Sequence, residues 1–324
     1  MINETDDIKV SVCVVTYNQE KYIAECLDSL VSQETDFKFE IIVGEDCSTD
    51  GTRAIVQQYV DKYPDIVKPI FHKNNVGAVE NIKQVYIAAK GRYIAHIDGD
   101  DMALPTKLQE QFNILEKNPQ AIICSHNMLE VVNDTITKDG YWNHPKGEYV
   151  LLDLVKKLPF FAHSSKFFRV TDELNLSDIL NEEDVLDIEL HLYQSTKGTI
   201  IHVGENLGVY RPGVGISSVK DNKLNYNMIA RIEKIYNDLL VSNPELAETI
   251  KIAYASYLLG IANSYAVTEL NGHKMREYAL KSIKQKLFSK RQLLMVVLCA
   301  NYNVGVSILN IRYKFKNMKQ IGKI

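Results

Sequence analysis

The sequence predicts an α/β fold with a mostly parallel, Rossmann-like sheet between flanking helices, followed by a C-terminal helical region. Three observations carry that expectation. Short apolar runs rich in β-branched residues alternate with segments whose apolar residues recur at helical spacing, and polar loops follow the runs. From Leu224 onward the pattern changes to long helical stretches without a clear strand. A continuous apolar run marks a strand covered on both faces, as in a parallel sheet. With 324 residues, 46% of them hydrophobic, the chain can fill the core of one large domain and an appendage.

Val10 to Val15 is the first predicted strand. Tyr22, Ile23, Cys26, Leu27, Leu30 and Val31 then place a helix that packs back over it. The alternation continues with Phe39 to Val43 as strand, Thr52 to Tyr63 as helix, Val67 to Phe71 as strand, Ala78 to Ala89 as helix and Tyr93 to Ile97 as strand. Ser48-Thr49-Asp50-Gly51 supplies a cap and turn before the second helix, and Lys90-Gly91 ends the third. Pro105, a residue type favoured at the first helical position, opens a helix carried by Leu108, Phe112 and Leu115 and stopped at Asn118-Pro119. Ile122 and Val131 mark two weaker strands. Ile229, Ile232, Ile235 and Leu239 return to helical spacing, and a domain boundary near Val219 divides residues 1–219 from residues 220–324.

A net charge of −4 gives no reason to expect a nucleic-acid partner, although the charge is uneven. From His273 onward Lys274, Arg276, Lys281, Lys284, Lys286, Lys290, Arg291, Arg312, Lys314, Lys316, Lys319 and Lys323 are opposed only by Glu277. This tail reads either as a helical appendage that packs on the first domain or joins copies of the chain, or as a basic face for peripheral contact with an anionic membrane. Cys13, Cys26, Cys47, Cys124 and Cys299 are scattered without zinc or disulfide spacing, which suits a reducing cytoplasm. The acidic start, Met-Ile-Asn-Glu-Thr-Asp-Asp, lacks the pattern of an export signal. The apolar stretch from Leu293 to Ile311 is interrupted by Asn301, Tyr302, Asn303 and Asn310, against the roughly 20 apolar residues a spanning helix needs.

In a parallel sheet, ligands bind beyond the carboxyl ends of the strands, so the loops after Val15, Val43, Phe71 and Ile97 should converge. They hold Thr16-Tyr17-Asn18, Glu45-Asp46-Cys47-Ser48-Thr49-Asp50, His72-Lys73-Asn74-Asn75-Val76-Gly77 and Asp98-Gly99-Asp100-Asp101. Three carboxylates within four residues repel one another unless a cation or solvent relieves them. Asp98 and Asp100 form a D-x-D pattern, whose oxygens suit Mg²⁺ or Mn²⁺ with positions left for phosphate. An isolated D-x-D is more often a solvated turn, with Asp101 capping the next helix. Here no glycine-rich phosphate loop follows the first strand, so phosphates need another anchor, and a metal on Asp98 and Asp100 provides it. Asp46 is placed to accept a hydrogen bond from a base or ribose, or else to cap the helix near Asp50.

These stretches resemble the inverting family 2 glycosyltransferases of the GT-A fold, which build bacterial surface polysaccharides. The resemblance runs through VSVCVVTYNQEKYIAECLDSLVSQ, FEIIVGEDCSTDGT, NNVGAVEN, GRYIAHIDGDD and Pro105 to Leu108, and returns at DIELHLYQSTKGTIIHVGENLGVYR. It covers most of the first 211 residues and leaves the last hundred unaccounted for. It implies a GT-A nucleotide-diphospho-sugar transferase fold, a UDP-sugar donor, Mn²⁺ or Mg²⁺, and a metal-dependent inverting hexosyl- or N-acetylhexosaminyltransferase. By the same resemblance Thr16, Tyr17 and Glu20 meet the nucleoside, and Asp46 contacts uracil. Asp98 and Asp100 meet ribose, diphosphate and metal, while Asn75, Gly77 and Asn81 border the base.

Inversion by direct displacement requires a carboxylate near the acceptor hydroxyl, on the face of the sugar away from the diphosphate. Glu182, Glu183, Asp184, Asp187 and Glu189 offer one or form only a solvated helix face. Counting back from Lys197-Gly198, Asp187 takes the place of the base in similar proteins, with Asp184 second. His163-Ser164-Ser165 and Tyr210-Arg211 rank lower: the histidine fits a core position, and Arg211 fits either a phosphate or a nearby acid. The acceptor implied is a saccharide or a polyprenyl-diphosphate-linked saccharide. The competing readings are a sugar nucleotidyltransferase and a non-catalytic nucleotide- or carbohydrate-binding protein of the same fold.

Overall fold

Val10–Thr16 forms β1, paired in parallel with β2 (Phe39–Glu45) on one side and β4 (Tyr93–Asp98) on the other. The computed structural model describes residues 7–132, 135–137, 142–172, 174, 185–214, 224–300, 307 and 309. It divides into two units, residues 1–154 with 158–216 and residues 155–157 with 217–324.

In the first unit α1 (Ile23–Val31), α2 (Thr52–Lys62), β3 (Val67–Phe71) and α3 (Ala78–Ala88) complete the alternation. Ile23, Cys26, Leu27 and Leu30 bury one stripe of α1 among Val12, Val14, Ile41 and Val43, which is why this spacing folds as a helix over a two-sided strand layer. Next come β5 (Met102–Ala103), α4 (Lys107–Lys117), β6 (Ala121–Val132), β7 (Thr135–Thr137), β8 (Gly147–Tyr149), α5 (Leu151–Lys156, its last two residues counted with the second unit), β9 (Phe167–Arg169), α6 (Asp187–Ser195) and β10 (Thr199–Tyr210). The strand order is β3-β2-β1-β4-β9-β6-β10-β5, with β7 on β6 and β8 on β10. β10 runs parallel to β6, whereas β9 is antiparallel to both its neighbours, so the sheet is mixed beyond β4.

Two elements differ from the sequence expectation. The two weak strands near Ile122 and Val131 are one strand of 12 residues. Ser125, His126 and Asn127 break its apolar pattern, yet all three are buried. Ser125 Oγ lies 2.8 Å from His202 Nδ1 on β10, and Asn127 Oδ1 lies 2.9 Å from His202 Nε2. The α4 helix begins at Lys107, because Pro105 sits in a preceding turn closed by Lys107 N donating to Leu104 O at 3.0 Å.

The described part of the second unit is helical: α7 (Tyr226–Ser242), α8 (Ala247–Val267), α9 (Gly272–Gln285) and α10 (Lys290–Ala300). Asn225 and Asn271 cap α7 and α9 through their side chains, accepting from Met228 N and Lys274 N. Ile229, Ile232, Ile235 and Tyr236 are buried on α7, as are Leu258, Ala262 and Tyr265 on α8. Among the described residues no helix is long and apolar enough to cross a membrane. The expected boundary near Val219 lies outside the described residues.

Candidate active site

The chain passes from β1 through β2 to β3 on one side and then places β4 on the other side of β1, so β1 and β4 flank a topological switch point. A crevice opens beyond the carboxyl ends of two such strands. Thr16 to Glu20 follow β1 and Asp98 to Asp101 end and follow β4, which brings the first and last predicted loops to one place. Gly99 N donates to Val15 O at 3.0 Å. A Cβ on Gly99 would stand 2.5 Å from Gln19 Oε1 and 2.9 Å from Thr16 Cβ, so close approach is what requires glycine here.

The three aspartates differ in environment. Asp98 keeps 39% of its side-chain surface open, deep in the crevice. Its desolvation raises the carboxyl, but hydrogen bonds from His96 and Ser164 and the charges of His96 and Lys166 outweigh it, and the net shift is downward. His96 Nε2 lies 3.3 Å from Asp98 Oδ1, and Ser164 Oγ donates to Asp98 Oδ2 at 3.1 Å. Asp100 is 7% exposed, and burial followed by the charge of Asp98 pushes its carboxyl up to about 6. Asp101 rises further, from burial and then from Asp98 and Asp100, and accepts from Arg211 N at 2.9 Å. It caps no helix. Carboxyls that repel one another in a crevice fit a divalent cation, and Asp98 and Asp100 are the candidates to hold one.

His96, Asp98 and His163 also bring ligand atoms within 4.8 Å of one another. The imidazoles of His96 and His163, however, stack with centroids 3.8 Å apart and planes 14° apart. Their in-plane lone pairs therefore run side by side instead of converging, which does not suit a tetrahedral ion. His96 Nδ1 is already engaged by Tyr86 Oη at 3.0 Å. The cluster reads as a packed support for Asp98.

Several predicted nucleoside contacts brace the loops. Asp46 accepts from Val76 N at 2.7 Å, Gly77 N at 2.9 Å and Asn75 Nδ2 at 3.1 Å, and so fastens the loop between β3 and α3 to the end of β2. Gly77 has φ +85°, a conformation that favours glycine. Glu20 accepts from Gly51 N at 2.7 Å, while Asp50 accepts from Glu20 N and Thr52 N. The cap of α2 thus belongs to Glu20 and Asp50, not Asp46. Thr16 Oγ1 donates to Gln19 Oε1 at 2.8 Å, and Tyr17 is 43% exposed. Asn81 is 2% exposed, donates to Gly44 O at 2.8 Å and lies 3.0 Å from His72 Nε2. It ties α3 to β2 and does not open to the crevice.

Asp187 begins α6, where a negative charge suits the helix dipole, and Oδ1 accepts from Ile188 N at 2.8 Å. Burial and then the charge of Asp98 raise its carboxyl, against the Ile188 hydrogen bond and the charges of Lys166 and His96. Glu189 accepts from Leu186 N at 2.9 Å and caps the same helix. Asp184 lies outside the described residues, as do Glu182 and Glu183. The Arg211 guanidinium pairs with Glu25 at 2.6 Å, lies 4.7 Å from the Tyr22 ring and donates to Asp100 O. Of its two readings, the ion pair is present. Ser164, ranked low in the sequence as part of His163-Ser164-Ser165, bears on Asp98, and Gln19, not singled out there, bears on Asp100. Ser164 stands 66 positions from Asp98, and only packing of β4 against the turn at His163–Ser165 joins them.

The sequence model described as Glycosyl transferase family 2 matches residues 11–173. The uncharacterized protein Rv1520 of Mycobacterium tuberculosis is 31% identical over 203 residues, covering 62% of this chain and 58% of its own length. The chain thus spans less than two thirds of that relative. The poly(ribitol-phosphate) beta-glucosyltransferase of Bacillus spizizenii is 35% identical over 165 residues, 51% of this chain and 25% of that protein. Among solved structures, S. aureus TarS 1-349 in complex with UDP-GlcNAc superposes with a TM-score of 0.64 at 20% identity, over 95% of this chain and 92% of that one. Mannosyltransferase PcManGT from Pyrobaculum calidifontis, in complex with GDP-Man and Mn2+, superposes with a TM-score of 0.54 at 16% identity, over 95% and 88%. These likenesses establish the shared fold.

Proposed function

We propose that this chain, which belongs to glycosyl transferase family 2, transfers a sugar from a nucleotide-diphosphate donor, a UDP-sugar, to a saccharide acceptor with inversion. The observation that carries the proposal is the crowded carboxylate crevice at the β1/β4 switch point, where Asp98, Asp100 and Asp101 meet the loop that follows Thr16. The donor class is further supported by the UDP-GlcNAc of the TarS complex, although the PcManGT complex holds GDP-Man.

In this reading Thr16, Tyr17 and Asp46, with Asn75 and Gly77, form the nucleoside end, and Asp98 and Asp100 would hold the divalent cation. Bound there, that cation supplies positive charge opposite the departing diphosphate. Asp187 is the base. It takes the proton of the acceptor hydroxyl as the oxygen attacks the anomeric carbon from the face opposite the diphosphate, so no covalent intermediate forms. The charge of Asp98 acts on the Asp187 carboxyl, which supports placing both at one site. A hexosyl or N-acetylhexosaminyl group is the unit transferred.

The acceptor proposed is a saccharide carried on a polyprenyl diphosphate, met at the cytoplasmic membrane face. Exposed Leu293, Leu294 and Val297 on α10, beside Lys290 and Arg291, support it, as does the absence of any acidic residue after Glu277. Co-sedimentation with anionic but not zwitterionic vesicles is expected; equal behaviour with both rejects this part of the proposal.

The decisive experiment measures UDP released from a panel of UDP-sugars, with and without Mn²⁺, beside a synthetic lipid-diphosphate saccharide. Metal-dependent, acceptor-stimulated release supports the proposal. Pyrophosphate among the products would instead favour a nucleotidyltransferase, and nucleotide binding without release a binding protein. Asp187→Ala should nearly abolish release while leaving UDP affinity close to wild type.

A further inference from the structure

Among the described residues, α7, α8 and α9 surround a solvent-open cavity of about 740 Å³, and every residue lining it belongs to the second unit. The transfer reaction gives it no role, yet a volume in this range holds a small molecule. Helical spacing builds its walls. Tyr226, Ala230, Glu233 and Asn237 return turn by turn along one side of α7, and Lys274, Glu277 and Lys281 do so along one side of α9.

The wall at the start of α7 is an aromatic ring held in place. Tyr226 is 54% exposed, but its hydroxyl donates to both carboxylate oxygens of Glu269 at 2.7 Å, and Glu269 also accepts from Leu224 N at 3.1 Å. The Tyr226 ring lies nearly parallel to that of Tyr265, with planes 16° and centroids 6.3 Å apart, and Tyr278 follows at 5.3 Å from Tyr265. What Tyr226 offers the cavity is therefore its ring and not its hydroxyl. Charges of both signs stand around it. Lys281 Nζ lies 3.5 Å from Glu233 and 3.4 Å from Glu277, Lys274 Nζ lies 2.8 Å from Glu277, and the Lys281 ammonium sits 4.4 Å from the Tyr278 ring centroid. Part of the basic tail thus folds into this cavity.

These features narrow the ligand. A cation is unsuited, because Lys281 already holds the place over Tyr278. A compact anion would have to draw Lys274 and Lys281 away from Glu233 and Glu277. A wholly apolar ligand would strip water from those ion pairs and return nothing. A saccharide meets both halves of the lining, since the C–H face of a sugar ring is apolar and packs on an aromatic ring, while its hydroxyls donate to carboxylates and accept from ammonium and amide groups. We propose that this cavity of the second unit is a saccharide-binding site, with Tyr226 as the stacking platform and Glu233, Lys234 and Asn237 as the hydroxyl contacts. It rests on the reading of a saccharide acceptor only for its use, as a second hold on that acceptor in addition to the crevice; the binding itself is independent of the reaction.

The test uses the full chain and three probes, chitotetraose, maltotetraose and a hyaluronan tetrasaccharide, read by saturation-transfer NMR at millimolar concentration. Wild type should pass saturation to the C–H protons of at least one probe. Tyr226→Ala should weaken that binding about five- to tenfold, and Tyr226→Phe should keep it, because the ring makes the contact. Ala230→Trp, at an exposed position on the same wall, should fill the cavity and remove the binding with a Tm near wild type. No saturation of any probe by wild type overturns the proposal, as does wild-type binding in folded Tyr226→Ala and Ala230→Trp. UDP release separates this proposal from the transfer reading. Release that proceeds while Ala230→Trp binds saccharide as wild type does rejects the cavity alone, whereas binding lost in Ala230→Trp with no UDP released from any donor keeps the cavity and rejects the transferase.

Discussion

Asp46→Ala removes the anchor of the loop between β3 and α3, and its cost follows from the hydrogen bonds it breaks. Val76 N, Gly77 N and Asn75 Nδ2 all converge on one carboxylate. A hydrogen bond to a charged acceptor contributes about 1.5–3 kcal/mol. Val76 is 40% exposed, so water can reach part of the freed loop and reduce the loss. A net destabilisation of about 2–4 kcal/mol follows, which for a unit of this size lowers Tm by roughly 5–15 °C. Differential scanning calorimetry without nucleotide measures it. Asp46→Asn, which keeps one acceptor oxygen but turns an amide toward an N–H, should fall about midway. If Asp46→Ala melts within about 2 °C of wild type, the carboxylate does not hold the loop, and the reasoning from its hydrogen bonds is wrong. A loss of UDP affinity in Asp46→Asn, measured well below its Tm, would then report contact with the base separately from loop anchoring.

Asp100→Ala should abolish the increment that Mn²⁺ adds to UDP binding in calorimetric titration while leaving metal-free binding nearly unchanged; an undiminished increment would place the cation elsewhere. Gly99→Ala puts a methyl against Gln19 and Thr16, and should cost about 1–3 kcal/mol and weaken donor binding, with a wild-type Tm counting against the close approach. Lys107 tests the sign of a buried charge: burial lowers its ammonium to about 7, against about 10.4 in the unfolded chain. Between those values the unfolded state binds more protons, so the penalty is full below about pH 7 and relieved as pH rises toward 10. Lys107→Met should therefore be more stable than wild type by about 1–3 kcal/mol at pH 6, after the loss of the contact with Gln111 Oε1, and the margin should close by pH 10.

The alternating part of the fold was legible because each early element announces itself locally. Val12, Val14, Ile41 and Val43 are apolar because both faces of their strands are covered, and Leu27 and Leu30 return every helical turn because one face of α1 is. The same logic failed at Ser125 to Asn127, where a strand interior is polar because His202, 75 or more positions away, satisfies it. No local period encodes a partner that distant. The crevice was legible for a topological reason: ligand loops follow strand ends, so finding β1 and β4 located Thr16 and Asp98 as well. What spacing could not supply was Ser164 behind Asp98, or the ion pair that takes Arg211 to Glu25.

Residue type also failed to separate ligand contacts from scaffold, for a physical reason. A loop that turns sharply at a strand end leaves backbone N–H groups without partners, and carboxylates and amides are the side chains that satisfy them. Glu20 on Gly51 and Asp46 on Val76 and Gly77 do this, while Asn81 serves a carbonyl instead, donating to Gly44 O. The composition that suggests a nucleoside site is therefore also the composition that builds its walls. Asp100 and Asp101 stand apart because their carboxyls are raised by burial and then by the charge of Asp98 instead of being held down by backbone donors alone. Lys166 differs from these: among the described residues its amine has no hydrogen-bond partner, whereas the equally buried Lys107 has Gln111. Lys107, whose charge has only that neutral partner, belongs to the scaffold, and Lys107→Met should gain stability at pH 6 with no loss of transfer.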